Sequence, residues 1–175
     1  MIAPKVLERA KAIRLLALDV DGVLTDGMLH YDARGAEQKT FSVRDGLGIK
    51  LLQRAGITIA IISGRRSQPV MTRAAELGIE HVIVGRDDKL AALQELCVHL
   101  NLRLDEAAYM GDDLPDLAAV HAAGLGLTVA DAAEPVYAAA DWRSDACGGR
   151  GAVREACEML LQARDQWADT LASYR

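Results

Sequence analysis

Two aspartates spaced by a single residue, Asp19 and Asp21, follow the apolar run Ile13 to Leu18 and precede Gly22-Val23-Leu24-Thr25-Asp26-Gly27. The apolar run reads as a buried strand over 14–18, which puts both carboxylates at its carboxyl end. In an open α/β sheet that is where ligands bind. Carboxylates beside an apolar run are costly unless a cation or a reaction uses them. A magnesium ion (Mg2+) holds both ionised, and one of them is then placed to attack an electrophile such as phosphorus. The spacing alone does not say which.

Three further groups stand at comparable places. Ser63-Gly64 closes the β-branched run Ile57 to Ile62, Lys89 begins a helical stretch, and Gly111-Asp112-Asp113 closes Ala107 to Met110. In a parallel sheet the carboxyl ends share one edge, so these positions converge. Together they supply two spaced carboxylates, a hydroxyl donor, a cation and an acidic metal site, which is what phosphoryl transfer needs. Singly each is weak, because acids cap helices, serines sit in turns and most helical lysines are solvated. The ordered set is far more specific than any member.

The elements that must position these groups alternate between strand and helix. A leading helix is expected over 3–11, then strand 14–18 and a hairpin with strands 28–31 and 38–43 around the turn Asp32-Ala33-Arg34-Gly35. Asp45 is expected to cap a helix over 46–55 that ends at Gly56. Strand 57–62, helix 67–77, strand 81–84, helix 88–100, strand 107–110, helix 114–123, strand 125–129 and helix 132–139 follow. Asp141-Trp142-Arg143 reads as an edge strand, and Gly148-Gly149-Arg150-Gly151 opens a last helix to about 169, with a polar tail after Gln166 that frays. The alternation predicts an α/β fold, a doubly wound parallel sheet with right-handed crossovers. A chain of 175 residues is expected to form one domain, 1–175.

Composition narrows the class. The chain is 51% apolar, 26% charged and only 4% aromatic, so Leu, Ala, Val and Ile must fill its core. A net charge of -5 argues against nucleic-acid binding. No apolar run approaches the ~20 residues that span a bilayer, so no membrane partner is expected. Met1 to Lys11 is charged and amphipathic, unlike a signal peptide, and the expected location is cytoplasmic. Cys97, Cys147 and Cys157 are odd in number and lack metal spacing, and read as plain thiols. His30, His81, His99 and His121 read as structural.

The ordered set resembles the haloacid dehalogenase superfamily of aspartate-nucleophile phosphatases over residues 13 to about 130. Asp19-Val20-Asp21-Gly22-Val23 matches its first motif, Ser63 the second, Lys89 the third, and Gly111-Asp112-Asp113 with Asp116 the fourth. The resemblance implies the Rossmann-like fold of that superfamily. It makes Asp19 the nucleophile that forms an aspartyl-phosphate, and Asp21 the acid that protonates the leaving alcohol and then activates water. It gives magnesium the carboxylate of Asp19, the backbone carbonyl of Asp21 and the carboxylate of Asp112, with Asp113 supporting. Ser63, Gly64 and Lys89 bind phosphate.

A narrower resemblance covers nearly the whole chain. The first block, with Phe41-Ser42-Val43-Arg44-Asp45-Gly46-Leu47-Gly48-Ile49 and Gly148-Gly149-Arg150-Gly151-Ala152-Val153-Arg154-Glu155, looks like the phosphatases of 3-deoxy-D-manno-octulosonate 8-phosphate (KDO 8-phosphate), which serve lipopolysaccharide synthesis. Such a substrate is a small anionic sugar-acid phosphate. Its carboxylate and hydroxyls need partners beyond the phosphate site, and a planar guanidinium suits a carboxylate. The resemblance points to Ser42, Val43, Arg44, Asp45, Gly46, Lys50, Arg65 and Arg73. Only about 17 residues, 27–43, are inserted after the first motif, enough for a small β-hairpin and not for a separate cap domain. Relatives of this minimal type are homotetramers with shared active sites. In them a flexible C-terminal segment, here about 146–175, helps to close the site, which makes Arg150 and Arg154 the closing cations. The alternatives are a phosphatase of a nine-carbon sialic-type acid 9-phosphate, a phospho-accepting signalling receiver, and an inactive scaffold. The receiver arrangement places adjacent acids after its first strand, which this chain does not.

Overall fold

The computed structural model describes residues 2–175. Helix α1 (Pro4–Ala12) leads into β1 (Leu15–Leu18), and a two-stranded antiparallel hairpin follows, β2 (His30–Tyr31) with β3 (Glu37–Gln38). Then come α2 (Val43–Arg54), β4 (Thr58–Ser63), α3 (Gln68–Leu77), β5 (His81–Val84) and α4 (Lys89–His99). The second half holds β6 (Ala107–Gly111), a 3-10 turn over Leu114–Asp116, α5 (Leu117–Ala122), β7 (Leu125–Thr128), α6 (Glu134–Ala139), β8 (Trp142–Arg143), α7 (Ala152–Ala163) and α8 (Trp167–Ala172). Six strands form one parallel sheet in the order β5-β4-β1-β6-β7-β8. The expected doubly wound sheet is therefore present, with its direction reversing at β1.

Each central strand is buried on both faces, as its unbroken apolar sequence requires. Leu16 and Leu18 of β1 face one core with α1, α2, α3 and α7, while Leu15 and Ala17 face the other with α4, α5 and α6. The same alternation sends Ile59 and Ile61 of β4 to the first core and Ala60 and Ile62 to the second. Register places the chemistry at one level. Leu18 pairs with Ile61 and with Met110, so Asp19 stands beside Gly111, and Ser63 and Asp112 both lie level with Val20.

Several local expectations need correction. The hairpin strands are two residues each, not 28–31 and 38–43, because only His30–Gln38 and Tyr31–Glu37 pair. Asp45 does not cap α2. Ser42 is the cap, its hydroxyl accepting from Asp45 N–H, and Asp45 lies buried inside the helix. The last helix is two: Asp165 adopts a left-handed φ of 58° and separates α7 from α8. The C-terminal segment is not loose throughout, since Ala152, Val153, Ala156, Cys157, Leu160 and Leu161 are buried in the first core. The residues after Gln166 continue as α8, which buries none of its side chains.

Candidate active site

A cluster of buried charges lies at the carboxyl ends of β1 and β6, at the point where strand order reverses. Asp19 is 5% exposed and Lys89 also 5%, yet both are ionisable. The Lys89 ammonium lies 2.8 Å from Asp19 Oδ1 and 2.6 Å from Asp116 Oδ1. Asp116 also accepts from the Tyr109 hydroxyl at 2.7 Å and from Asp112 and Asp113 N–H at 3.2 and 3.3 Å. Asp116 is thereby saturated. Lys89 has three donor hydrogens and two carboxylate partners, so one donor remains for a substrate oxygen.

Three carboxylates face one ammonium here, and the protonation equilibria show the imbalance. Burial, then the neighbouring Asp116 carboxylate, push Asp19 up to about 7 against the pull of Lys89. Burial, then Asp19 and Asp116, push Asp112 up to about 8. Burial opposes charge on Lys89, but Asp19 and Asp116 outweigh it and hold the ammonium above its ordinary value. Burial and Asp116 raise the Tyr109 phenol, which therefore stays a donor.

The cluster fits a hard divalent cation. Asp19, Asp112 and Asp116 each offer an oxygen, all within 4.8 Å of one another. Asp112 Oδ1 is buried without a hydrogen-bond partner. Because Asp116 is already saturated, Asp19 and Asp112 are the carboxylates left to coordinate. Gly22 makes room for them: its φ is +95°, and a Cβ there would fall 2.0 Å from Asp112 Oδ2. An all-oxygen donor set suits magnesium.

Ser63, 2% exposed, ends β4 beside this cluster. Its Oγ accepts from Arg65 N–H at 3.3 Å, which leaves the hydroxyl hydrogen to donate. Gly64 lets the Asp87 carboxylate approach, since a Cβ would lie 2.9 Å from Asp87 Oδ1.

Asp21 sits further out, under the hairpin. Its Oδ1 bonds the Lys39 ammonium and its Oδ2 lies 3.8 Å from Arg65 Nε. Glu37 joins the two cations, 3.4 Å from Lys39 Nζ and 2.6 Å from Arg65 Nη2. Ser67 Oγ donates to the other Glu37 oxygen at 2.5 Å. Desolvation raises Glu37, but Ser67, Lys39 and Arg65 together hold it below the ordinary range. Beside this ring runs an open groove of about 690 Å³ between the hairpin and α3, lined by Glu37, Phe41, Arg66, Ser67, Thr72 and Arg73 among others.

With this geometry in place, comparison with known proteins is decisive. A family described as haloacid dehalogenase-like hydrolase matches residues 82–147. The 3-deoxy-D-manno-octulosonate 8-phosphate phosphatase of Salmonella typhimurium is 44% identical over 163 residues, covering 93% of this chain and 87% of that protein. The enzyme of the same name from Moraxella catarrhalis, solved in complex with magnesium ion, phosphate ion and KDO, superposes with a TM-score of 0.96 at 47% identity, covering 98% of each chain. The chain belongs to the KDO 8-phosphate phosphatase family. A cobalt-bound relative from Haemophilus influenzae superposes with a TM-score of 0.88 at 44% identity, covering 91% of this chain and 94% of that one.

Within this family frame the structure brings Asp19, Asp21, Ser63, Gly64, Lys89, Arg65 and Asp112 to one edge. Other residues singled out in the sequence fall elsewhere. Asp113 is exposed and caps the 3-10 turn through Leu114 N–H at 2.8 Å, so the support expected of it comes from Asp116. Asp45 points away from the cleft and accepts from Gly151 and Arg154 N–H at 3.3 and 2.8 Å, joining α2 to α7. Burial raises its carboxyl against these two donors. Gly46 is a seat, not a contact: a Cβ would lie 2.3 Å from Arg73 Nη2. Arg73 donates from there to the Ser42 carbonyl at 3.4 Å and to Glu76 at 3.1 Å. Val43 and Arg44 are exposed in the first turn of α2.

Lys50 lies eight residues along α2 from Ser42, ~12 Å towards the opposite edge of the sheet. There it lines a hollow with Ile57, Thr58, Gly78 and His81, at the amino ends of β4 and β5. It does not join the site. Arg154 is held by Glu158 at 2.5 Å and stacks over Trp167 at 5.8 Å. Arg150 is 72% exposed and 3.9 Å from Asp26. The glycines before it dock on the catalytic loop of their own chain, where Gly149 N–H donates to Val23 at 2.9 Å and a Cβ on Gly148 would meet the Gly22 carbonyl at 1.8 Å.

Three participants were not singled out from the sequence, Tyr109, Glu37 and Lys39, while Asp116 was matched to the fourth motif without its role as the hub. Glu37 and Lys39 are two apart across the end of β3, where an extended chain puts both on one face, and that spacing was the available signal.

Proposed function

We propose that this chain is a magnesium-dependent phosphatase that hydrolyses KDO 8-phosphate to KDO and inorganic phosphate through an aspartyl-phosphate on Asp19, within lipopolysaccharide synthesis. The observation that carries the reading is the buried excess of carboxylate, three against one ammonium, with Asp112 Oδ1 unpartnered. Magnesium, held by Asp19, the Asp21 carbonyl and Asp112, neutralises the charge of the phosphate and keeps Asp19 ionised near neutral pH. Lys89 fixes the Asp19 rotamer through Oδ1 and gives its remaining hydrogen to a phosphate oxygen. The Ser63 hydroxyl donates to a second oxygen. Asp19 attacks phosphorus, and Asp21 protonates the departing sugar oxygen. Asp21 then takes a proton from the water that hydrolyses the phosphoenzyme.

The sugar acid lies in the groove between the hairpin and α3, where Arg73 lines the wall and supplies a guanidinium group for its carboxylate, with Arg65 beside it in the ring of Asp21 and Glu37. Met28, Leu29 and Tyr31 expose apolar surface on the hairpin, which a homotetramer with shared active sites covers. No helix of the described residues is long and apolar enough to cross a membrane, in keeping with a cytoplasmic enzyme.

The test is phosphate release from KDO 8-phosphate with magnesium and with chelator, beside a nine-carbon sialic-type 9-phosphate. Fast, magnesium-dependent release that prefers KDO 8-phosphate is expected. Preference for the nine-carbon ester moves the pathway and keeps the chemistry. Release from neither ester rejects the assignment. Light scattering at micromolar protein reads the assembly, and a monomer rejects the shared site.

A further inference from the structure

We propose that Lys39 is a positioning residue for Asp21, so that the hairpin sets the geometry of proton transfer to the leaving group. The proposal rests on the phosphatase reading above and adds a residue to it.

Lys39 stands on a two-residue-strand hairpin at the surface, yet its side chain is only 1% exposed. An ammonium buried this far is costly unless it is paired and hydrogen-bonded. Both of its partners are carboxylates, Asp21 and Glu37. Glu37 has no freedom of its own, because Ser67 holds one of its oxygens at 2.5 Å and Arg65 the other at 2.6 Å. Arg65 returns to Asp21 Oδ2 at 3.8 Å. Asp21, Lys39, Glu37 and Arg65 thus close a ring of alternating sign in which each oxygen of Asp21 faces a cation. Pairing of Tyr31 with Glu37 across the hairpin brings the Tyr31 hydroxyl to Arg65 at 3.4 Å, which ties the ring to both strands.

Asp21 is 22% exposed and follows a strand end, so without partners its carboxyl would visit several rotamers. A group that delivers a proton works only within hydrogen-bond reach of its target. A misplacement near 1 Å costs ~100-fold in rate. The ring holds Asp21 through partners that leave the inner cluster of Asp19, Lys89 and Asp112 untouched. A lysine that merely pins the hairpin down predicts different kinetics: loosening that wall of the groove raises KM for the sugar ester, whereas misplacing Asp21 lowers the rate of the step that needs its proton.

The leaving group separates these cases. An alkyl alcohol departs from phosphorus only with a proton from Asp21, whereas p-nitrophenol departs as its anion. Lys39→Met keeps the buried stem and removes the charge. It is expected to lower the single-turnover rate of KDO release from KDO 8-phosphate about 30- to 100-fold, while the first-turnover rate of p-nitrophenol release from p-nitrophenyl phosphate stays within about threefold; hydrolysis of the phosphoenzyme, which also uses Asp21, is common to both esters and follows these readings. KM for the sugar ester stays nearly constant, and Lys39→Arg restores part of the lost rate. Glu37→Gln, which loosens Lys39 without removing it, shifts the same ratio in the same direction by less, and it decides the matter if Lys39→Met does not fold. Equal losses of first-turnover rate on both esters, or no loss on either, overturn the proposal. If the parent enzyme releases nothing from KDO 8-phosphate, the substrate assignment falls alone, and ribose 5-phosphate serves as the alkyl ester for the same comparison.

Discussion

Two ionic clusters meet at the carboxyl edge of the sheet, and they are built on opposite principles. In the inner cluster Asp19, Asp116 and Lys89 are almost fully buried and Asp112 is half-buried, and three carboxylates stand against one ammonium. The outer ring of Asp21, Glu37, Lys39 and Arg65 is partly exposed and balanced, two against two. The inner cluster is incomplete by itself, and its raised protonation equilibria measure what a cation must supply. The outer ring is complete by itself. A buried deficit recruits metal and phosphate, whereas a balanced ring at the rim holds a side chain in place without competing for the same ion.

The comparison breaks first at Asp19. Asp19→Asn removes the proposed nucleophile of the inner cluster and is expected to lower kcat by about 10⁴-fold or more while the fold persists. Residual turnover near the parent rate removes Asp19 from that role. Next comes the hub. Asp116→Ala strips Lys89 of one of its two buried carboxylates and leaves the Tyr109 hydroxyl unpaired, at ~3–5 kcal/mol in chemical unfolding. A loss below about 1 kcal/mol would show that the inner cluster relaxes as freely as surface charge.

The deficit also has a pH signature. Asp19 and Asp112 bind protons more tightly in the folded chain than in the unfolded one, with folded values of about 7 and about 8 against 3.8. Their contribution is therefore present at low pH, and it is lost as pH rises through those folded values. Metal-free protein should lose stability between pH 5 and 8, and saturating magnesium should restore it, raising Tm by about 5 °C or more at pH 8 and by less at pH 5.5. Equal shifts at both values of pH would mean that magnesium binds elsewhere. The smallest effect is at Lys50. Lys50→Ala should leave kcat and KM within about twofold, because its helix carries it to the far edge. A large rise in KM would return it to the substrate site.

The strands were legible because their cues are local. Leu15 to Leu18 and Ile59 to Ile62 are unbroken apolar runs, each followed directly by a polar residue of the candidate site, Asp19 and Ser63. The edge shared by Asp19, Ser63, Lys89 and Asp112 followed from parallel topology alone. What escaped depends on partners distant in the chain. Ser42 and Asp45 are three apart, and the cap belongs to Ser42 because Asp45 is engaged more than a hundred residues away by Gly151 and Arg154. Lys39 reads as a solvated hairpin charge until Asp21 is folded beneath it. Lys50 was placed by resemblance, and helix length moved it. Asp165 breaks the last helix with neither glycine nor proline to announce it.

The docking of Gly148 and Gly149 on the backbone of Gly22 and Val23 sets a timetable for synthesis. The loop that carries Asp19 and Asp21 leaves the ribosome about 120 residues before the wall behind it. Contacts of that separation form slowly and late. A nascent chain that has emerged only as far as β8 has its sheet and the side chains of both ionic clusters, yet lacks the backing that shapes the loop, so the site is finished only once the segment after β8 has docked.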